Sequence, residues 1–159
     1  MDNNKLSELY TEICFHKRPI SVPGDLRPVW RICAIVLALH LSSRGGKSSF
    51  GKLHLLNWAL KSKKNQYSLA QIMHGKLSPD SIIVRIEPAL NRAVDLASGE
   101  DLLTIDDGKK VVLTEKGVKL AESLMANPEI FKDVKGFLAT IGKKQLTETE
   151  VNKLFSLRI

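Results

Sequence analysis

Apolar positions along this chain fall into successive helical repeats, interrupted by one pair of short β-prone runs. Residues 29 to 41 are apolar nearly all round, broken only by Arg31 and His40. A helix of that kind is buried on most sides and is expected at the centre of the fold. Pro28 suits its first turn, where the missing amide proton costs nothing. Residues 42 to 49, with Gly45 and Gly46, read as a polar turn between helices. The next helix, over residues 50 to 61, turns Leu53, Leu56 and Leu60 inward with Trp58 and Ala59 nearby. Its opposite stripe is His54, Asn57 and Lys61 at i, i+3 and i+7. A third helix is expected over residues 66 to 74, carried by Leu69, Ile72 and Met73. Residues 78 to 81 form a turn and residues 82 to 86 a short strand. Pro88 then opens a helix with Leu90, Ala93, Val94 and Ala97 inward and Gly99 at its end.

The β-prone runs are Leu102, Leu103 and Ile105, then Lys110, Val111, Val112 and Leu113. Between them stand Asp106, Asp107, Gly108 and Lys109. Aspartate followed by glycine tolerates the positive φ angles of a tight hairpin. Thr114 can cap the helix that follows, with Glu115 in its first turn and Val118, Ala121, Leu124 and Met125 at helical spacing. Further on, Asn127, Pro128 and Glu129 read as the opening of a helix on Ile130, Val134, Phe137, Leu138 and Ile141. Residues 147 to 150, Thr-Glu-Thr-Glu, have the capping-box pattern for a last helix on Val151, Leu154 and Phe155. A short helix with Leu6, Leu9 and Ile13 on one face is expected within residues 1 to 18, followed by an extended, proline-bearing linker. A hairpin running into a helix through Leu-Thr-Glu-Lys-Gly resembles the wing of winged helix-turn-helix domains. An ordinary α+β hairpin is the alternative.

Composition adds few constraints. The chain has 159 residues, 43% hydrophobic and 26% charged, as in an ordinary soluble globular protein. Cys14 and Cys33 stand in no CxxC spacing, which fits a reducing cytoplasm. The opening residues are polar and show no secretory h-region, and the longest apolar run, residues 32 to 39, is too short to span a bilayer. A cytoplasmic protein without a membrane partner is expected.

Charge is more telling. The net charge is +7, and residues 26 to 79 contain no Asp or Glu. That window carries Arg27, Arg31, Arg44, Lys47, Lys52, Lys61, Lys63, Lys64 and Lys76, with His40, His54 and His74. It reads either as a solvated basic face or as a surface for phosphate or an acidic partner. Arg44, Lys47, Lys52, His54, Lys61, Lys63 and Lys64 are the candidate contacts, with any nucleic-acid binding sequence-independent and salt-dependent. In a winged-helix domain the helix before the wing enters the major groove. Here its outward residues are Asn91, Arg92, Asp95 and Ser98, one arginine beside one aspartate, and Glu100, Asp101, Asp106 and Asp107 put four acids around the hairpin against Lys109 and Lys110. Aspartate repels phosphates, so this is a poor groove reader.

No catalytic constellation emerges. Gly45-Gly46-Lys47-Ser48 lacks the first glycine of a P-loop, since Leu41 occupies that position and a helix precedes it. Cys14 with His16, and Cys33 with His40, do not supply the four paired ligands of a zinc site. No nucleophile motif or retuned carboxylate pair is present. The chain is expected to be non-enzymatic and without a cofactor.

Residues 39 to 64, LHLSSRGGKSSFGKLHLLNWALKSKK, together with Pro88-Ala89-Leu90-Asn91-Arg92-Ala93 and the Leu-Thr-Glu-Lys-Gly stretch, resemble the middle component of prokaryotic ABC-three-component systems. The Lamassu anti-phage systems are one branch. The resemblance covers roughly residues 28 to 126. It implies a winged helix-turn-helix domain over residues 28 to 126 with a small β-hairpin wing; with the residue pattern outside it, the expected fold is mainly α, with an N-terminal arm over residues 1 to 27 and added C-terminal helices over 127 to 159. It implies a non-catalytic accessory subunit of an SMC-like ATPase complex in anti-phage or anti-plasmid defence, partnered with that ATPase and an effector, often a nuclease. It supplies no catalytic residues. The alternative is a winged-helix transcription regulator, a homodimer that reads duplex DNA through Asn91, Arg92, Lys109 and Lys110.

Overall fold

The computed structural model describes Pro23 and residues 26 to 156. The helix expected within residues 1 to 18 and the Cys14–His16 pair lie outside the described residues. Among those described, seven α-helices and three short strands follow in chain order: α1 (Pro28–Ser42), β1 (Lys47–Ser49), α2 (Phe50–Leu60), α3 (Lys63–Met73), α4 (Pro88–Gly99), β2 (Leu103–Asp106), β3 (Lys110–Leu113), α5 (Glu115–Ala126), α6 (Lys132–Gln145) and α7 (Glu148–Ser156). The fold is mainly helical, with one three-stranded antiparallel sheet in the order β1-β3-β2.

Helix α1 is the centre of the core, as its all-round apolar pattern predicts. Val36, Leu37 and Leu39 are fully buried, each worth roughly 1.5–3 kcal/mol relative to exposure. The helix packs against α4, α5 and α6, while α2 packs against α3 and α7. Leu138, Ile141, Leu146, Val151 and Leu154 belong to the same core as Leu37 and Leu56. The C-terminal helices α6 and α7 therefore share one core with α1 and α2.

The hairpin follows its sequence signal. Asp107 and Gly108 take φ of 50° and 64°, and Leu103 to Asp106 face Leu113 to Lys110. Thr114 caps α5 by accepting from the Gly117 amide at 3.1 Å. Gly117 has a steric reason to be glycine, because a Cβ there would stand 2.2 Å from the Leu102 carbonyl oxygen. Helix α5 can lie against the hairpin only because that atom is missing.

Four expectations are corrected. Residues 47 to 49, part of the expected polar turn, form strand β1, with Lys47, Ser48 and Ser49 opposite Val112, Val111 and Lys110. Nothing in Lys-Ser-Ser favours a strand; pairing with β3 imposes it. The turn before it needs Gly46, which has φ 65° and lies against Leu113. Residues 82 to 86 are extended but form no strand; Ile82 and Val84 enter the core directly. Helix α3 begins earlier than expected because Ser62 accepts from the Asn65 amide and caps it. Asn127 does accept from the Glu129 amide, but α6 starts only at Lys132, after Phe131 in a left-handed conformation.

Candidate nucleic-acid and partner interface

Helix α2 was expected to show solvent a polar stripe. Instead Lys52, Leu53, His54, Leu55, Leu56, Asn57 and Ala59 are all buried. Two elements distant in sequence close over it. Val151 and Phe155 of α7 pack beside Gly51, and residues 82 to 87 bring Glu87 onto the helix as well. The Glu87 carboxylate accepts from Arg31 Nη1 at 2.9 Å and from Asn57 Nδ2 at 2.9 Å, and it pairs with Lys61. Arg31 also donates to Asn57 Oδ1 at 3.1 Å. Burying the guanidinium, only 7% exposed, is tolerable because a carboxylate and an amide meet it.

His54 continues this strip. The Glu87 backbone N–H donates to Nδ1 at 3.3 Å, which leaves the ring proton on Nε2. Nε2–H then donates to Asn91 Oδ1 at 3.1 Å. Burial holds His54 below its ordinary range, with the Asn91 hydrogen bond opposing that in part. A second proton would face the Glu87 N–H, so the arrangement requires neutral imidazole.

The window that lacks acids in sequence is not free of acids in space. Lys47 pairs with Asp106, Lys61 with Glu87 and Lys63 with Asp133. Lys52 and His54 are each 4% exposed and leave the surface set altogether. Of the seven candidates, Arg44 and Lys64 are exposed and lack a carboxylate partner among the described residues. The continuous basic face expected from the charge pattern is therefore broken up. The hydrogen bond from Lys47, then its charge, lower the Asp106 carboxyl, with a smaller contribution from Lys110.

Lys52 Nζ donates to the Ser42 carbonyl at 2.6 Å and to the Leu146 carbonyl at 2.8 Å. It borders a cavity of about 200 Å³ that Arg44, Lys47, Lys143 and Glu148 also line. Lys143 was not among the candidates. It reaches this place because Gly142, at φ 58° and ψ −174°, breaks α6 and redirects the chain toward α7. A glycine followed by two lysines after a helical repeat was the signal for it. Glu87 carries no local sequence signal of its own. Arg31, a lone charge in an apolar helix, required a carboxylate from beyond the acid-free window, and Glu87 is the first glutamate after it.

The alternative set behaves differently. Asn91, Arg92 and Asp95 lie on the exposed face of α4, as expected, although Asn91 Oδ1 is committed to His54. Lys109 and Lys110 are exposed on the hairpin. Apolar residues also reach the surface. Trp30, Ile130 and Phe131 line one open cleft, the Trp30 and Phe131 rings lie 5.7 Å apart, and Leu26 and Val29 nearby in sequence are exposed. Cys33 is half-buried, and burial raises its thiol. Among the described residues no group of three or more His, Cys, Asp or Glu is placed to hold a metal, and no helix is long and apolar enough to cross a membrane. Comparison with family models, with curated proteins and with solved structures finds no match for this chain.

Proposed function

We propose that this chain is a winged-helix adaptor: a non-catalytic accessory subunit of an SMC-like ATPase complex in anti-phage or anti-plasmid defence, acting with that ATPase and an effector in the cytoplasm. The sheet order β1-β3-β2 supports the winged-helix part. A strand after the first helix pairs with the second strand of a hairpin, and helix α4 immediately precedes that hairpin. The resemblance of residues 28 to 126 names the class of partner. The observation that carries the adaptor reading is the dispersal of the cations. Lys47, Lys61 and Lys63 are paired within the chain and Lys52 is buried, whereas Leu26, Val29, Trp30, Ile130 and Phe131 leave apolar surface for a protein partner. Duplex contact, where it occurs, is then secondary and sequence-independent.

Co-expression with the neighbouring genes and purification through a tag on this chain tests the reading. Recovery of an ATPase in stoichiometric amount is the expected outcome; a chain that emerges alone contradicts it. A second reading, the homodimeric transcription regulator, is favoured by one observation. Arg92, Lys109 and Lys110 are exposed and carry no ion pair among the described residues. It requires sequence-selective duplex binding that Arg92→Ala relaxes.

A further inference from the structure

The cleft beside Lys52 carries an electrostatic imbalance. Lys52 is buried, yet among the described residues no carboxylate lies within ion-pairing distance of its ammonium; its two bonded partners are neutral carbonyl oxygens. An ammonium has three donors, so one remains. The cleft it borders is also lined by Arg44, Lys47 and Lys143. The one carboxylate on its wall, Glu148, is bonded to the Ser49 amide at 3.0 Å and offsets part of the positive charge without pairing with Lys52, and Lys47 is turned to Asp106. Arg44, Lys52 and Lys143 come from three separate elements. The Gly45–Gly46 turn and the Gly142 break, all at positive φ, bring them together.

We propose that this cleft binds a phosphate group, held by Arg44, Lys52 and Lys143. Its volume, about 200 Å³, is several times the roughly 30 Å³ that a water occupies in the liquid, enough for a tetrahedral oxyanion. Phosphate suits these donors better than a carboxylate does. Its oxygens diverge toward the corners of a tetrahedron, so a guanidinium fork and two ammonium groups on different walls can each meet one. Burial depresses the Lys52 ammonium despite the opposing charges of Glu148 and Glu150, a cost that a bound anion removes. The proposal does not depend on the adaptor reading, because the isolated full-length chain suffices to test it.

The test is thermal unfolding of the full chain in chloride buffer, titrated with inorganic phosphate and compared with chloride at equal ionic strength. A saturable rise in Tm with phosphate alone is expected. Arg44→Gln and Lys143→Gln, both at exposed positions, should each weaken that response by about tenfold, the loss of one charge-assisted contact. Lys119→Gln, an exposed position on α5, should leave it unchanged. A short DNA duplex that displaces the phosphate identifies the occupant as a nucleic-acid backbone phosphate. A duplex that leaves phosphate bound identifies a free phosphate ligand. A phosphate response no larger than that of chloride, or one that Arg44→Gln and Lys143→Gln leave intact, overturns the proposal.

Discussion

The polar strip under α2 and the cleft beside Arg44 draw their cations largely from the same acid-free run of sequence, yet only the strip brings a carboxylate into contact with its buried cation. In the strip, Glu87 gathers Arg31, Asn57 and Lys61, and His54 stays neutral between the Glu87 amide and Asn91. In the cleft, Lys52 is met by two carbonyl oxygens and faces Arg44 and Lys143 across an open cavity. A run of like charge in sequence therefore does not fix whether those charges are balanced in space. The balance depends on which distant element folds over them. Residues 82 to 87 deliver an acid to one end of α2, and the Gly142 break delivers another lysine to the other.

Removing the carboxylate from the strip should give the largest effect. Glu87→Ala leaves a buried guanidinium without its counter-charge and should cost about 3–5 kcal/mol in urea unfolding. A loss under 1 kcal/mol would mean that solvent already balances Arg31. Lys52→Met should cost less, under about 2 kcal/mol, because no charged partner is stranded and only two carbonyls lose a donor. The pair also separates with pH. The folded Lys52 pKa lies below its ordinary 10.5, so in the alkaline window beneath 10.5 the unfolded chain holds the proton that the folded chain has released. The native protein should then gain stability relative to Lys52→Met as pH rises through that window. A difference between the two proteins that is flat with pH would argue that the ammonium is as well solvated folded as unfolded.

Acid probes the strip more gently. Burial depresses the folded His54 pKa below the ordinary 6.5, so as pH falls under 6.5 the unfolded chain binds a proton first. Stability should decline by at most about 1.4 kcal/mol per pH unit from this group. His54→Gln should remove that part of the slope, as followed by urea midpoints across the acid range; an unchanged slope would assign it to other residues. The smallest effect belongs to a surface pair outside both regions. Lys63 and Asp133 are 3.4 Å apart with side chains 73% and 84% exposed, and Lys63→Gln should alter stability by less than about 0.5 kcal/mol.

Much of the scaffold was legible because it rests on local signals. The all-round apolar run gave α1, the Asp-Gly turn gave the β2–β3 hairpin, and Thr114 marked the start of α5. The reciprocal bonds of Thr147 and Glu150 gave α7 its cap. What was not legible depends on partners remote in sequence. Lys47-Ser48-Ser49 is a strand only beside β3. His54 and Asn57 look like part of an outward stripe with Lys61 until residues 82 to 87 cover them. The basic run is interrupted for the same reason: acids outside residues 26 to 79 fold back onto Lys47, Lys61 and Lys63. Arg92, Lys109 and Lys110 lie where expected, because α4 and the hairpin are set by local periodicity and turn chemistry.

The most direct test of the contrast between strip and cleft is side-chain NMR of the lysine ammonium and arginine guanidinium groups during a phosphate titration. Saturable shifts at Lys52, Arg44 and Lys143, with Arg31 and Lys61 unmoved, are predicted. Shifts of equal size on all surface lysines, or shifts confined to Arg31 and Lys61, would contradict the claim that the strip is balanced and the cleft is not.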